Sequence, residues 1–175
     1  MKKIYFVFLA LLSCQSFAGY TLDLTEPKNL SVADMYPSYE LIRSLNFSDL
    51  EDGSALVGFK SDKTSDHWDT IFAAKIGSSK SGEQRIYITT AITCSDKDAS
   101  LDNATIKTNN QNVRYSRYCD GQYIYLTPLS KAGDNFLVDQ FKKKESVIFE
   151  FSDIAILFDA TGFTKAWNSY GGDAL

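Results

Sequence analysis

The sequence predicts a mainly β fold, an antiparallel β-sandwich or barrel-like sheet with two short helices near the C-terminus and one disulfide. Three observations carry this expectation. Short runs rich in Ile, Val, Thr, Phe and Tyr recur along the chain, punctuated by Gly, Asp, Asn and Ser. A helical period is evident only in the last third. Two cysteines, Cys94 and Cys119, are left as an even pair once the N-terminal leader is set aside.

The elements follow in order. Tyr20 to Leu24 alternates as a short first strand, and Asn29 to Tyr36 has the signature of a helical turn, with Ser31 as N-cap, Asp34 three residues on and Pro37 as breaker. Tyr39 to Leu45 fits either helix or strand. Asp52-Gly53 marks a turn before the strand Ala55 to Phe59. Asp69 to Ile76 and Arg85 to Thr93 form the clearest β pair, with Gly77 to Gly82 as the hairpin loop. Ser95 to Asn103 is acidic and reads as a loop, followed by a strand over Ala104 to Thr108. Val113 to Cys119 and Gln122 to Thr127 flank Asp120-Gly121, a two-residue hairpin signal.

The period then changes. Asp134 to Lys144 sets Leu137, Val138 and Phe141 on one face and ends in lysines, as an amphipathic helix does. Val147 to Phe151 and Ile154 to Phe158 return to strand. Thr161 to Trp167 reads as a closing helix, stopped by Gly171-Gly172. The total is seven to nine strands and two short helices.

Residues 1–18 match a secretory signal peptide: Met1-Lys2-Lys3, nine apolar residues from Ile4 to Leu12, then Ser16 and Ala18 at a cleavage position. Nine apolar residues fall well short of the roughly 20 that span a bilayer. Cleavage after Ala18 leaves one domain over residues 19–175, periplasmic or secreted. The alternative is a lipoprotein anchored through Cys14 of Leu11-Leu12-Ser13-Cys14. No later segment is apolar enough for a transmembrane span.

The leader holds two of the 18 basic residues and none of the 22 acids, so the mature part carries 16 − 22 = −6. That balance argues against nucleic acid as a partner, since phosphates are neutralised by basic side chains. In an oxidising compartment Cys94 and Cys119 are expected to form a structural disulfide, because redox pairs usually sit close together, as in Cys-x-x-Cys.

From Arg117 onward the order is a cysteine, a strand, a helix ending in lysines, two apolar strands and Gly162-Phe163-Thr164-Lys165-Ala166. This tail, about residues 117–170, resembles the C-terminal half of invasion-associated locus B proteins. A second cysteine soon after Cys119, expected from that pattern, is missing. The resemblance implies an exported β-rich envelope protein without a defined catalytic site, and it transfers no functional residue.

Sites for chemistry are sparse. The single histidine, His67, lies in Ser65-Asp66-His67-Trp68-Asp69. As a general base oriented by Asp66 or Asp69 it would need a serine nucleophile, and no Gly-x-Ser-x-Gly elbow is present. Asp96 to Asp102 opens like an EF-hand loop, but Leu101 stands where the turn needs glycine and Lys107 where a bidentate Glu belongs. No metal or cofactor is expected from these patterns. The site hypothesis is an aromatic and basic cluster across one hairpin: Arg114, Tyr115, Arg117, Tyr118, Tyr123 and Tyr125. Tyr and Arg are favoured at protein interfaces, and alternation puts Tyr123 and Tyr125 on one face with Ile124 and Leu126 on the other. The expected function is a non-enzymatic module that binds another protein, as an inhibitor, immunity or accessory factor. The alternatives are a small hydrolase of envelope polymers, resting on His67 and on carboxylates that could converge in space, and a ligand-binding β-barrel.

Overall fold

A computed structural model describes residues 22–25, 41–60, 69–97 and 100–171. The expected signal peptide, Cys14, the expected helical turn over 29–36, His67 and Trp68 lie outside the described residues.

Ten strands and two helices are found among the described residues. In chain order they are β1 (Leu22–Leu24), β2 (Leu41–Leu45), β3 (Ser54–Lys60), β4 (Asp69–Ser78), β5 (Gln84–Thr93), β6 (Ser100–Thr108), β7 (Gln111–Cys119), β8 (Tyr123–Pro128), α1 (Lys131–Lys143), β9 (Ser146–Glu150), β10 (Ile154–Asp159) and α2 (Phe163–Ser169). The strands form one sheet in the order β1-β10-β9-β6-β7-β8-β5-β4-β3-β2. All neighbours are antiparallel except β1 and β10, which run parallel, so the sheet is mixed. β10, near one edge, approaches β2 and β3 at the other, so the sheet curls into a half-barrel. Of the two expected architectures, the barrel-like one is present.

Alternation explains the interior. Ile86 and Ile88 on β5, Leu126 on β8, Tyr115 on β7 and Phe149 on β9 all point into the curl and are buried. The helices add Leu137, Phe141 and Phe163 to the same core. Phe47, from the β2–β3 loop, meets Phe163 edge-on at 5.0 Å and Phe141 at 5.7 Å. Such aromatic pairs each add about 0.5–1.5 kcal/mol beyond the area they bury.

Two elements begin three or more residues before the expected position, and one ambiguous segment is resolved. β6 begins at Ser100 inside the predicted acidic loop, because Ser100 and Leu101 pair with Tyr118 and Arg117 of β7 before a bulge ahead of Ala104. Ladder pairing here overrides the poor strand propensity of Asp and Asn. α1 begins at Lys131, three residues early, because Ser130 Oγ accepts the Gly133 N–H at 3.1 Å as an N-cap. The ambiguous segment near Leu41 is a strand paired with β3.

Two covalent and polar clamps position the hairpins. The disulfide Cys94–Cys119 joins the end of β5 to the end of β7 across 5.9 Å between Cα atoms. At the other end, Asn109 and Asn110 turn β6 into β7 with φ of 41° and 67°, the left-handed pair a two-residue hairpin needs. The Asn109 amide also donates to Gln140 of α1 and accepts from the Ile148 N–H of β9.

Candidate functional site

The predicted hairpin cluster divides between the two faces of the sheet. On β7, Val113, Tyr115 and Cys119 share the interior parity and are buried. Tyr115 is 0% exposed, and its hydroxyl shares a 2.9 Å hydrogen bond with Thr108 Oγ1. The expectation that Tyr115 belongs to a binding surface is therefore corrected: it is a core residue. Burial pushes its phenol well above the ordinary value, against the opposing hydrogen bond from Thr108. Arg117 shares that parity, and its Nε donates to the backbone carbonyl of Asp102. Arg117 therefore braces β6 and does not join the outer cluster.

The outer face carries Arg114 and Tyr118 from β7 and Tyr123 and Tyr125 from β8. Tyr118 and Tyr125 are register partners and stack at 5.6 Å with 25° between ring planes. β5 lies on the far side of β8, and its Tyr87 meets Tyr125 edge-on at 5.8 Å. Tyr87 in turn lies over Gly77 of β4, where a Cβ would stand 3.0 Å from its ring. The Tyr170 hydroxyl, from the end of α2, reaches the same point at 4.0 Å. A row of four tyrosines thus crosses four adjacent strands. Tyr87 was not among the predicted residues, because the β5–β8 pairing that brings it to Tyr125 is non-local. Half-burial raises the Tyr87 phenol, and the Arg85 charge opposes that shift.

The row rests on a fixed frame. Arg85 donates from Nε and Nη2 to Asp134 Oδ1 at 3.0 and 2.8 Å, tying β5 to the first turn of α1. In the β7–β8 turn, Asp120 Oδ1 accepts the N–H groups of Tyr123 and Gln122 at 2.6 and 2.8 Å. These bonds, the Tyr123 one foremost, hold the Asp120 carboxyl below the usual range. Tyr123 is the most exposed of the hairpin tyrosines, at 37%. Ile92, near the end of β5, stands beside that turn and is 59% exposed.

A second feature lies at the Tyr170 end of the row. The β2–β3 loop and α2 form the walls of an open cleft of about 550 Å³. Its lining includes Phe47, Leu50, Glu51, Lys165, Ala166 and Tyr170. The loop wall is braced by Asn46, whose Oδ1 accepts the Ser48 N–H at 2.8 Å, and by Asp49, whose Oδ2 accepts the Asn46 N–H at 2.9 Å. The walls meet where Gly162, with φ of 81°, touches Ser48. Sequence inspection did not find this cleft, since residues 48 and 162 are neighbours only in space.

Among the described residues no group of three or more His, Cys, Asp or Glu side chains converges as a metal site. Likewise, no helix among them is long and apolar enough to cross a membrane. No family model matches the chain, and no curated protein or solved structure matches it either.

Proposed function

We propose that this chain is an exported, non-enzymatic protein-binding module of the bacterial envelope or exterior, and that its partner docks on the outer face of β7, β8 and β5. The observation that carries the reading is the tyrosine row: Tyr118, Tyr125 and Tyr87 pack ring to ring on the solvent side of a sheet whose core lies on the other side. Interlocked rings on a rigid sheet lose little conformational entropy when a partner arrives, which is why Tyr recurs at protein interfaces. Tyr118 and Tyr125 turn their faces toward each other and so offer edges and hydroxyls, a poorer platform for a flat sugar ring than a single exposed face. The disulfide supports an oxidising compartment, and an exported envelope protein is also what the resemblance of the tail to invasion-associated locus B proteins implies.

The test is affinity capture of the tagged mature protein from its host's envelope extract, run beside Tyr123→Ala/Tyr125→Ala. The expected result is a partner retained by the wild type and lost from the double variant, with far-UV circular dichroism unchanged. Equal capture by both proteins would remove this face from consideration.

A further inference from the structure

We propose that the partner is held through an extended segment of its chain, which crosses the tyrosine row and places one apolar side chain in the cleft beside α2. The inference rests on the protein-binding reading above and adds the form of the partner.

Continuity is the first argument. Tyr170 belongs to both features: its hydroxyl sits with Tyr87 over Gly77, and the residue also lines the cleft. The row and the cleft are therefore one surface. From β7 through β8 and β5 to β4 it crosses three interstrand steps, roughly 14 Å at about 4.8 Å per step. An extended chain covers that distance with four to five residues at about 3.3 Å each.

The cleft itself suits an anchoring side chain. Leu50 and Ala166 supply apolar lining above the buried Phe47, which is fixed between Phe141 and Phe163. The Asn46 and Asp49 bonds set the loop wall in advance, so little ordering cost falls on binding. Charge selects the flanks. Glu51 stands on the loop wall and Lys165 on the helix wall, and neither forms a salt bridge among the described residues. Asp52, by contrast, is engaged by Ser54 and Lys75. The matching segment carries a basic group on the Glu51 side of its apolar anchor and an acidic group on the Lys165 side.

The test uses random linear peptides displayed on phage and selected on the immobilised mature protein, followed by titration of the enriched peptide in solution. Enrichment of a motif with an apolar residue between opposite charges is expected. Its affinity should fall about tenfold or more with Tyr125→Ala and with Ser169→Trp, which plugs the cleft from α2. Among the described residues the Ser169 hydroxyl bonds only to carbonyls of its own helix, so this variant should keep the wild-type melting temperature. Lys165→Glu is the second variant and should weaken binding chiefly at low salt. A motif indifferent to both Ser169→Trp and Lys165→Glu would overturn the cleft assignment. If no linear motif enriches while a folded partner is still captured through the tyrosines, the segment proposal falls and the binding reading stands. If neither peptide nor partner binds, both fall.

Discussion

Replacing Gly162 with alanine tests the contact that joins the two walls of the cleft. The residue sits at φ 81° and ψ −10° as the N-cap of α2. An L side chain in that region costs about 1 kcal/mol. Space adds to this cost. A Cβ at 162 would stand 2.1 Å from Ser48 Oγ, 2.8 Å from Ser48 N and 3.1 Å from the Phe47 carbonyl carbon. The hydroxyl can rotate away, but the backbone atoms can yield only if the loop moves, and Asn46 and Asp49 brace it. Overpacking of this kind costs about 1–3 kcal/mol, so the total is about 2–4 kcal/mol. Gly82 supplies the control, with φ 83° and no atom within 4 Å of its added Cβ. Gly82→Ala should show only the backbone cost, about 1 kcal/mol. Urea unfolding of both variants, followed by far-UV circular dichroism, measures the difference. Equal losses within about 0.5 kcal/mol would refute the close approach of α2 to the loop.

Further outcomes follow from the core and the disulfide. Replacing Cys94 and Cys119 together by alanine opens a loop with a sequence separation of 25; the chain-entropy model gives a loss of about 3–3.5 kcal/mol, read as a lower urea midpoint. Tyr115→Phe strands the buried Thr108 hydroxyl and should cost about 1–2 kcal/mol, while adding Thr108→Val should recover part of that loss in a double-mutant cycle. The same tyrosine makes the fold sensitive to alkali. Its folded phenol keeps a proton that the unfolded chain releases near its ordinary value of 10.0, so stability is full below about pH 10 and falls as pH rises beyond it. Tyr115→Phe should flatten that decline when midpoints are compared across alkaline buffers.

Much of the architecture was legible locally. Asp120-Gly121 announced the β7–β8 hairpin, although its connection spans residues 120–122 and not the two expected, and the spacing of Leu137 and Phe141 announced α1, because turn chemistry and helical period act over a few residues. The Cys94–Cys119 bridge followed from the even cysteine pair left once the expected leader is set aside. The sequence also carries a signal that turns Tyr115 inward. It shares the parity of Val113 and Cys119, so a strand with one buried face carries it inward. Asn109-Asn110 is likewise a local turn signal.

Other features had no local signal. β6 lies between β7 and β9, and β5 pairs with β8, so Tyr87 reaches Tyr125 through contacts between distant segments. The acidic start of β6 became strand because β7 offered it a ladder. The sequence by itself determined the fold class, most of the elements, the disulfide and the leader expectation, since each depends on period, punctuation or composition. Tertiary structure alone decided the curl of the sheet, the division of the hairpin cluster between core and surface, and the junction of Gly162 with Ser48. Those depend on which face each strand buries and on how the two ends of a curled sheet meet, and both are properties of the packed chain.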